Sequence, residues 1–184
     1  MRIGAIQTKI LLLLIGGFAL GLTRSPRRYF HIAREIGKEW KDIDRRQLRE
    51  SIRALYKSKL VKTEYHGDGS VTLVLTRNGE KMALRHEVDA LELPEIPEWD
   101  GKWRVVLFDV PEAHKKERDA FSFHMKKLGF FQYQKSVFVH PSDCAKEIDF
   151  LIEYHGLREH VRFIVAESLD NELHLKAHFR PLSF

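Results

Sequence analysis

Apolar residues recur along the first part of the chain at helical spacing, then switch to strand spacing. From about Ala5 to Leu20 nearly every position is apolar, which predicts a helix buried on most sides and punctuated by Gly21 and Thr23–Pro26. Tyr29, Ile32, Ala33, Ile36 and Trp40 follow at helical intervals. Pro26 suits a first helical position, so a second helix is expected from about Pro26 to Trp40. A third is expected after Asp42 or Asp44, either a good N-cap, and to reach about Lys59. Leu48, Ile52 and Leu55 fall at i, i+4 and i+7 and form its apolar stripe. The period then becomes two. Leu60–His66 and Val71–Leu75 flank a Gly67-Asp-Gly69-Ser turn and read as a hairpin. Thr76 is placed to cap one more helix. Three helices, a hairpin and a closing helix make the order of a winged helix-turn-helix, over residues 1–86.

A second pattern begins after residue 100. Trp103–Asp109 is an apolar strand, and Lys115–Leu128 a helix with Phe121, Met125 and Leu128 on one face. Gly129 suits the position just past its end. Phe130–Tyr133 and Lys135–His140 read as strands, Ser142–His155 as a helix, and Val161–Glu167 as a strand. Asp170–Phe179 adds a short helix. The order β-α-β-β-α-β is that of a ferredoxin-like domain. The expected fold class is therefore α+β: a winged helix-turn-helix over 1–86, an acidic linker over 87–100, and a ferredoxin-like dimerisation domain over 101–184.

Charge sharpens that division. Residues 1–86 hold 18 Lys and Arg against 8 Asp and Glu, a net of +10. Residues 87–100 hold six carboxylates, no Lys or Arg, and two prolines, a linker composition. Residues 101–184 are nearly neutral, with 13 against 12. A cationic module joined by an acidic segment to a neutral one points to nucleic acid as a partner. The third helix carries Arg45, Arg46, Gln47, Arg49, Arg53 and Lys57 away from its apolar stripe, and Arg27 and Arg28 open the second helix. Arg can grip guanine O6 and N7, Gln can pair with adenine, and flanking Lys and Arg can hold phosphates. Double-stranded DNA is the expected partner. A merely solvated basic face is the alternative, and some winged helices bind protein instead.

With 43% apolar residues, two modest cores are affordable. Domains this small often lean on a dimer interface, so a homodimer is expected. The single Cys144 excludes an intrachain disulfide and a cysteine-built zinc site, and suits a reducing compartment. Ile10–Leu22 is an apolar run of thirteen residues preceded by Arg2 and Lys9. It is shorter than the about 20 residues that span a bilayer. It also fits a signal peptide with a cleavage point at Ala19-Leu-Gly21. The buried helix is the reading adopted, because cleavage would remove a helix that the basic domain needs. A cytoplasmic protein without a membrane segment is expected.

Signals for catalysis are thin. Neither a glycine-rich phosphate loop nor a nucleophile elbow occurs. His155 and His160 lack an HExxH context, and His174 and His178 stand alone at i, i+4. Asp109, closing the first strand of the second module, is the one candidate metal ligand. With a two-fold mate it could offer two carboxylates to a hard ion such as Mg²⁺. No other cofactor is expected. Hydrolysis of a phosphodiester usually needs more carboxylates than that.

Two resemblances add to this. Phe108-Asp109-Val-Pro, a charged helix ending Leu128-Gly129, and Gln134-Lys-Ser136-Val-Phe138 resemble the CRISPR-associated protein two family. That resemblance implies a two-fold interface near Asp109, divalent-metal binding there, and in some members a nuclease. The whole chain, with Trp99-Asp-Gly-Lys-Trp103 and the run from Gln134 to His140-Pro, resembles the PaaX-type transcriptional repressors. That resemblance implies a DNA-binding homodimer answering to a small-molecule effector, here unassigned. The expected function is a repressor-like transcriptional regulator. The alternatives are a Mg²⁺-dependent endonuclease or CRISPR-adaptation-like protein using Asp109, and a non-enzymatic assembly module.

Overall fold

The computed structural model describes residues 3–22, 45–65, 71–95 and 98–179, with the side chains at 17–22, 45, 48, 49, 65, 71 and 72 excepted. The chain divides into two compact units, Met1–Ala90 and Leu91–Phe184.

In the first unit, helix α1 spans Ala5–Leu22 and continues through Gly21. Helix α2 spans Arg45–Lys57, two residues short of the expected end. Lys59 turns the chain with a left-handed φ of 55°. Strands β1 (Val61–Tyr65) and β2 (Val71–Leu75) then pair antiparallel, Val61 opposite Leu75 and Tyr65 opposite Val71. Helix α3 spans Arg77–Asp89, and the Thr76 hydroxyl accepts from the Gly79 amide as its N-cap. Ile10, Leu11, Leu55, Leu60, Val61 and Ala83 form one buried cluster, with Ile52, Leu73, Leu75 and Met82 packed against it. The expected helix over 26–40 and the hairpin turn lie outside the described residues.

Residues 87–89, read from composition as linker, belong to α3. Helix formation there does not need apolar residues at every turn, so a run of carboxylates concealed it.

In the second unit, β3 (Trp103–Phe108) is followed by a 3₁₀ turn (Glu112–His114), α4 (Lys115–Lys127), β4 (Phe131–Gln134), β5 (Val137–His140), α5 (Ala145–His155), β6 (Val161–Ala166) and α6 (Glu172–His178). The sheet order is β4-β5-β3-β6, every pair antiparallel, with β3 central. That is the ferredoxin-like topology. Central position explains why β3 is apolar but for the buried Arg104: both faces are covered. Trp103, Val105 and Leu107 point with Val139 toward Leu175 and Phe179 of the α6 region. Phe108 meets Phe121 edge-on at 5.5 Å and stacks on Phe138 at 5.9 Å toward α4. Helix α5 starts at Ala145, three residues later than expected, because Pro141 and Ser142 still belong to the turn after β5. Gly156 ends α5 and Gly129 follows α4, both with positive φ (66° and 85°), the role expected of Gly129.

Candidate nucleic-acid interface

Helix α2 has two unlike faces. Leu55 is buried and Ile52 packs against the core of the first unit. Arg46, Gln47, Glu50, Arg53 and Lys57 are exposed. Arg46, Glu50, Arg53 and Lys57 follow at i, i+4, i+7 and i+11, one stripe down the helix. Arg46 Nε donates to Glu50 Oε1 at 3.1 Å. With both side chains largely in water, that pair contributes about 0.3–0.5 kcal/mol, little enough for Arg46 to exchange it for a phosphate. The α2 backbone includes Arg45 and Arg49, whose side chains are not described, and Arg27 and Arg28 lie outside the described residues. On β1, Lys62 pairs with Glu64 at 2.9 Å, both half-exposed.

Asp109 is exposed just past the end of β3. Its backbone amide donates to the His160 carbonyl at 3.0 Å, and the Phe108 amide to the Ser136 carbonyl at 3.0 Å. These bonds fix it on the rim of an open cleft of about 430 Å³ that Ser136, Glu159, His160 and Arg162 also line. Glu159 is thus the acidic neighbour that spacing along the chain did not reveal. Asp100 and Glu112 serve elsewhere: Asp100 pairs with Arg104, and Glu112 with Lys115 and Arg118. Among the described residues no three His, Cys, Asp or Glu side chains gather as a metal site.

The segment entering β3 is tied down by charge. Arg104, almost wholly buried, donates Nη1 to Asp100 Oδ1 at 2.6 Å and Nη2 to Oδ2 at 2.7 Å. Nη1 also reaches the carbonyls of Lys102 and Pro141. The ion pair holds the Asp100 carboxyl below its usual range. Nearby, His140 is buried against Phe130 and Phe179, and its Nδ1 accepts from the Ser142 amide at 3.0 Å. Burial, helped by the Arg104 charge, lowers His140 to about 4. Trp99 and Trp103 pack at 5.0 Å, and Trp103 Nε1 donates to Glu172 of α6. Thus Trp99 and Trp103 of that motif pack with Leu175 and Phe179 over one face of the sheet, while Asp100 holds Arg104.

The rings of His174 and His178 lie against Phe131 at 5.5 and 4.9 Å, so they cover the sheet face. Sequence reasoning missed a different histidine pair, His124 of α4 and His155 of α5, whose ring nitrogens are 3.0 Å apart. They are 31 residues apart on separate helices, and only the packing of those helices brings them together.

No helix among the described residues is long and apolar enough to cross a membrane. The second unit is a ferredoxin-like domain of the Cas2-like class. Residues 97–177 match the family described as the PaaX protein central Cas2-like domain. A comparison with curated proteins finds none that matches the chain.

Proposed function

We propose that this chain is a PaaX-type transcriptional regulator that binds double-stranded DNA as a homodimer in the cytoplasm. The observation that carries the reading is α2: a helix whose apolar side is locked into a core and whose opposite side presents Arg46, Gln47, Arg53 and Lys57 to solvent. In this reading the first unit is a winged helix-turn-helix, α2 its recognition helix and the β1–β2 hairpin its wing. Arg27 and Arg28 add phosphate contacts in this reading. Arg and Gln read base edges in the major groove, and Lys57 with the flanking arginines holds the backbone. The second unit joins two copies, which brings two α2 helices to the half-sites of a two-fold operator.

The experiment is duplex binding by the full chain over a range of salt and in the presence of Mg²⁺. A regulator binds with sequence preference, and its affinity falls steeply as salt rises. Mg²⁺-dependent cleavage lost in Asp109→Ala would instead make the cleft at Asp109 a nuclease site. Failure to bind any duplex while the chain remains dimeric would leave an assembly module.

A further inference from the structure

Helices α4 and α5 meet over one face of the sheet, and the meeting point is a pair of imidazoles. His124 Nδ1 and His155 Nε2 stand 3.0 Å apart, with ring centroids 5.1 Å apart and tilted by 40°. Both rings are half-buried. Their orientations are held by aromatic neighbours. Phe121 meets His155 edge-on at 5.9 Å, Tyr154 meets it at 4.9 Å, and Phe123 meets His124 at 5.6 Å.

We propose that His124 and His155 bind a divalent transition-metal ion of the imidazole-preferring kind, Zn²⁺ or Cu²⁺, which clamps α4 to α5. Two nitrogens each about 2.0–2.1 Å from a tetrahedral ion stand about 3.3 Å from each other. The pair needs to open by only a few tenths of an ångström to accept one. The protonation chemistry allows it. When each ring carries its proton on the outward nitrogen, His124 Nε2 and His155 Nδ1, both facing nitrogens present lone pairs. The proton now shared between the rings moves to the outward position, so binding to the neutral pair releases none.

The remaining ligands follow from the surroundings. No third ligand of a closed metal site gathers here among the described residues. The ion therefore keeps open positions for water. Glu117 lies two turns before His124 on the same helix face, half-buried, and its charge acts on His155. Its negative charge favours a cation at the pair. Imidazole nitrogen with water suits Zn²⁺ and Cu²⁺ better than Mg²⁺ or Ca²⁺, which take oxygen. This site is separate from Asp109 and does not depend on the regulator reading.

The test uses the full chain and two probes. Substoichiometric Cu²⁺ is added while the imidazole signals of the ten histidines are followed by magnetic resonance. The His124 and His155 signals should broaden first. Titration with Zn²⁺ should then show one ion per chain. That binding should weaken by at least the about 10–100-fold that loss of a supporting group costs a metal site in either His124→Gln or His155→Gln. It should be unchanged in the control His174→Gln, His178→Gln. The idea is overturned if broadening spreads evenly or falls first on His174 and His178, if the wild type takes up no ion, or if the double variant His124→Gln, His155→Gln binds as well. Should a variant fail to fold, the broadening order in the wild type decides alone.

Discussion

Gly79, in the first turns of α3, lies directly against the backbone carbonyl of Leu60 at the start of β1. A Cβ added at Gly79 would stand 2.0 Å from that oxygen and 3.1 Å from Leu75 Cδ2. The same carbonyl accepts from the Thr76 amide at 3.0 Å, and the Thr76 hydroxyl reaches the Lys59 carbonyl at 2.7 Å. One knot thus joins the end of α2, the hairpin and α3. Gly79→Ala should destabilise the first unit by about 3 kcal/mol, the upper end of overpacking costs. The clash with backbone outweighs the about 1 kcal/mol that alanine gains over glycine in an open helix. Thermal or denaturant unfolding checks this; an unchanged midpoint would mean that the knot yields.

Asp100→Asn should loosen the entry to β3. It leaves the buried Arg104 guanidinium with carbonyl partners and the more distant Asp143, 3.8 Å away. Losing a charge-assisted bond of this kind costs about 1.5–3 kcal/mol, toward the lower end here because Asp100 is half-exposed. Replacing the pair together, Asp100→Asn with Arg104→Met, should cost less than the single change, because no buried charge is then stranded. Denaturant midpoints for the single and double variants distinguish the two cases.

The second unit should lose stability as the pH falls from about 6.5 toward about 4. His140 is held neutral in the fold, at about 4 against an ordinary 6.5. Between those values the unfolded chain takes up a proton that the folded chain refuses. The unfolded state therefore binds more protons, and stability falls with pH through that window. Unfolding measured at several pH values, with a chelator present, should show this slope, and His140→Gln should reduce it, leaving the share of His155, which burial likewise lowers to about 4. An equal slope in the variant would place its origin elsewhere.

How much of this was legible depended on the range of the interactions. The α2 stripe of Ile52 and Leu55, the Thr76 cap and the Gly129 turn are local, and spacing alone reveals them. The β-α-β-β-α-β order was readable because β3, covered on both faces, is apolar but for Arg104. The α3 end at Asp89 was not readable, since Glu87 and Asp89 flank the single buried Val88 there and such an acidic stretch looks like linker. The start of α5 was misplaced because Ser142, a good capping residue, instead donates its hydroxyl to the Pro94 carbonyl. The neighbours of Asp109 and the His124–His155 pair come from tertiary packing, on which spacing is silent.

The α2 face is tested most directly by specific duplex binding of Arg46→Ala beside the wild type at fixed salt. Arg46 is exposed and its pairing with Glu50 contributes little, so the variant should fold. If α2 reads the operator, affinity for the specific duplex should fall by about 1–3 kcal/mol, and Arg53→Ala should fall with it. A folded Arg46→Ala, Arg53→Ala protein that binds the same duplex with undiminished affinity and preference would contradict the account.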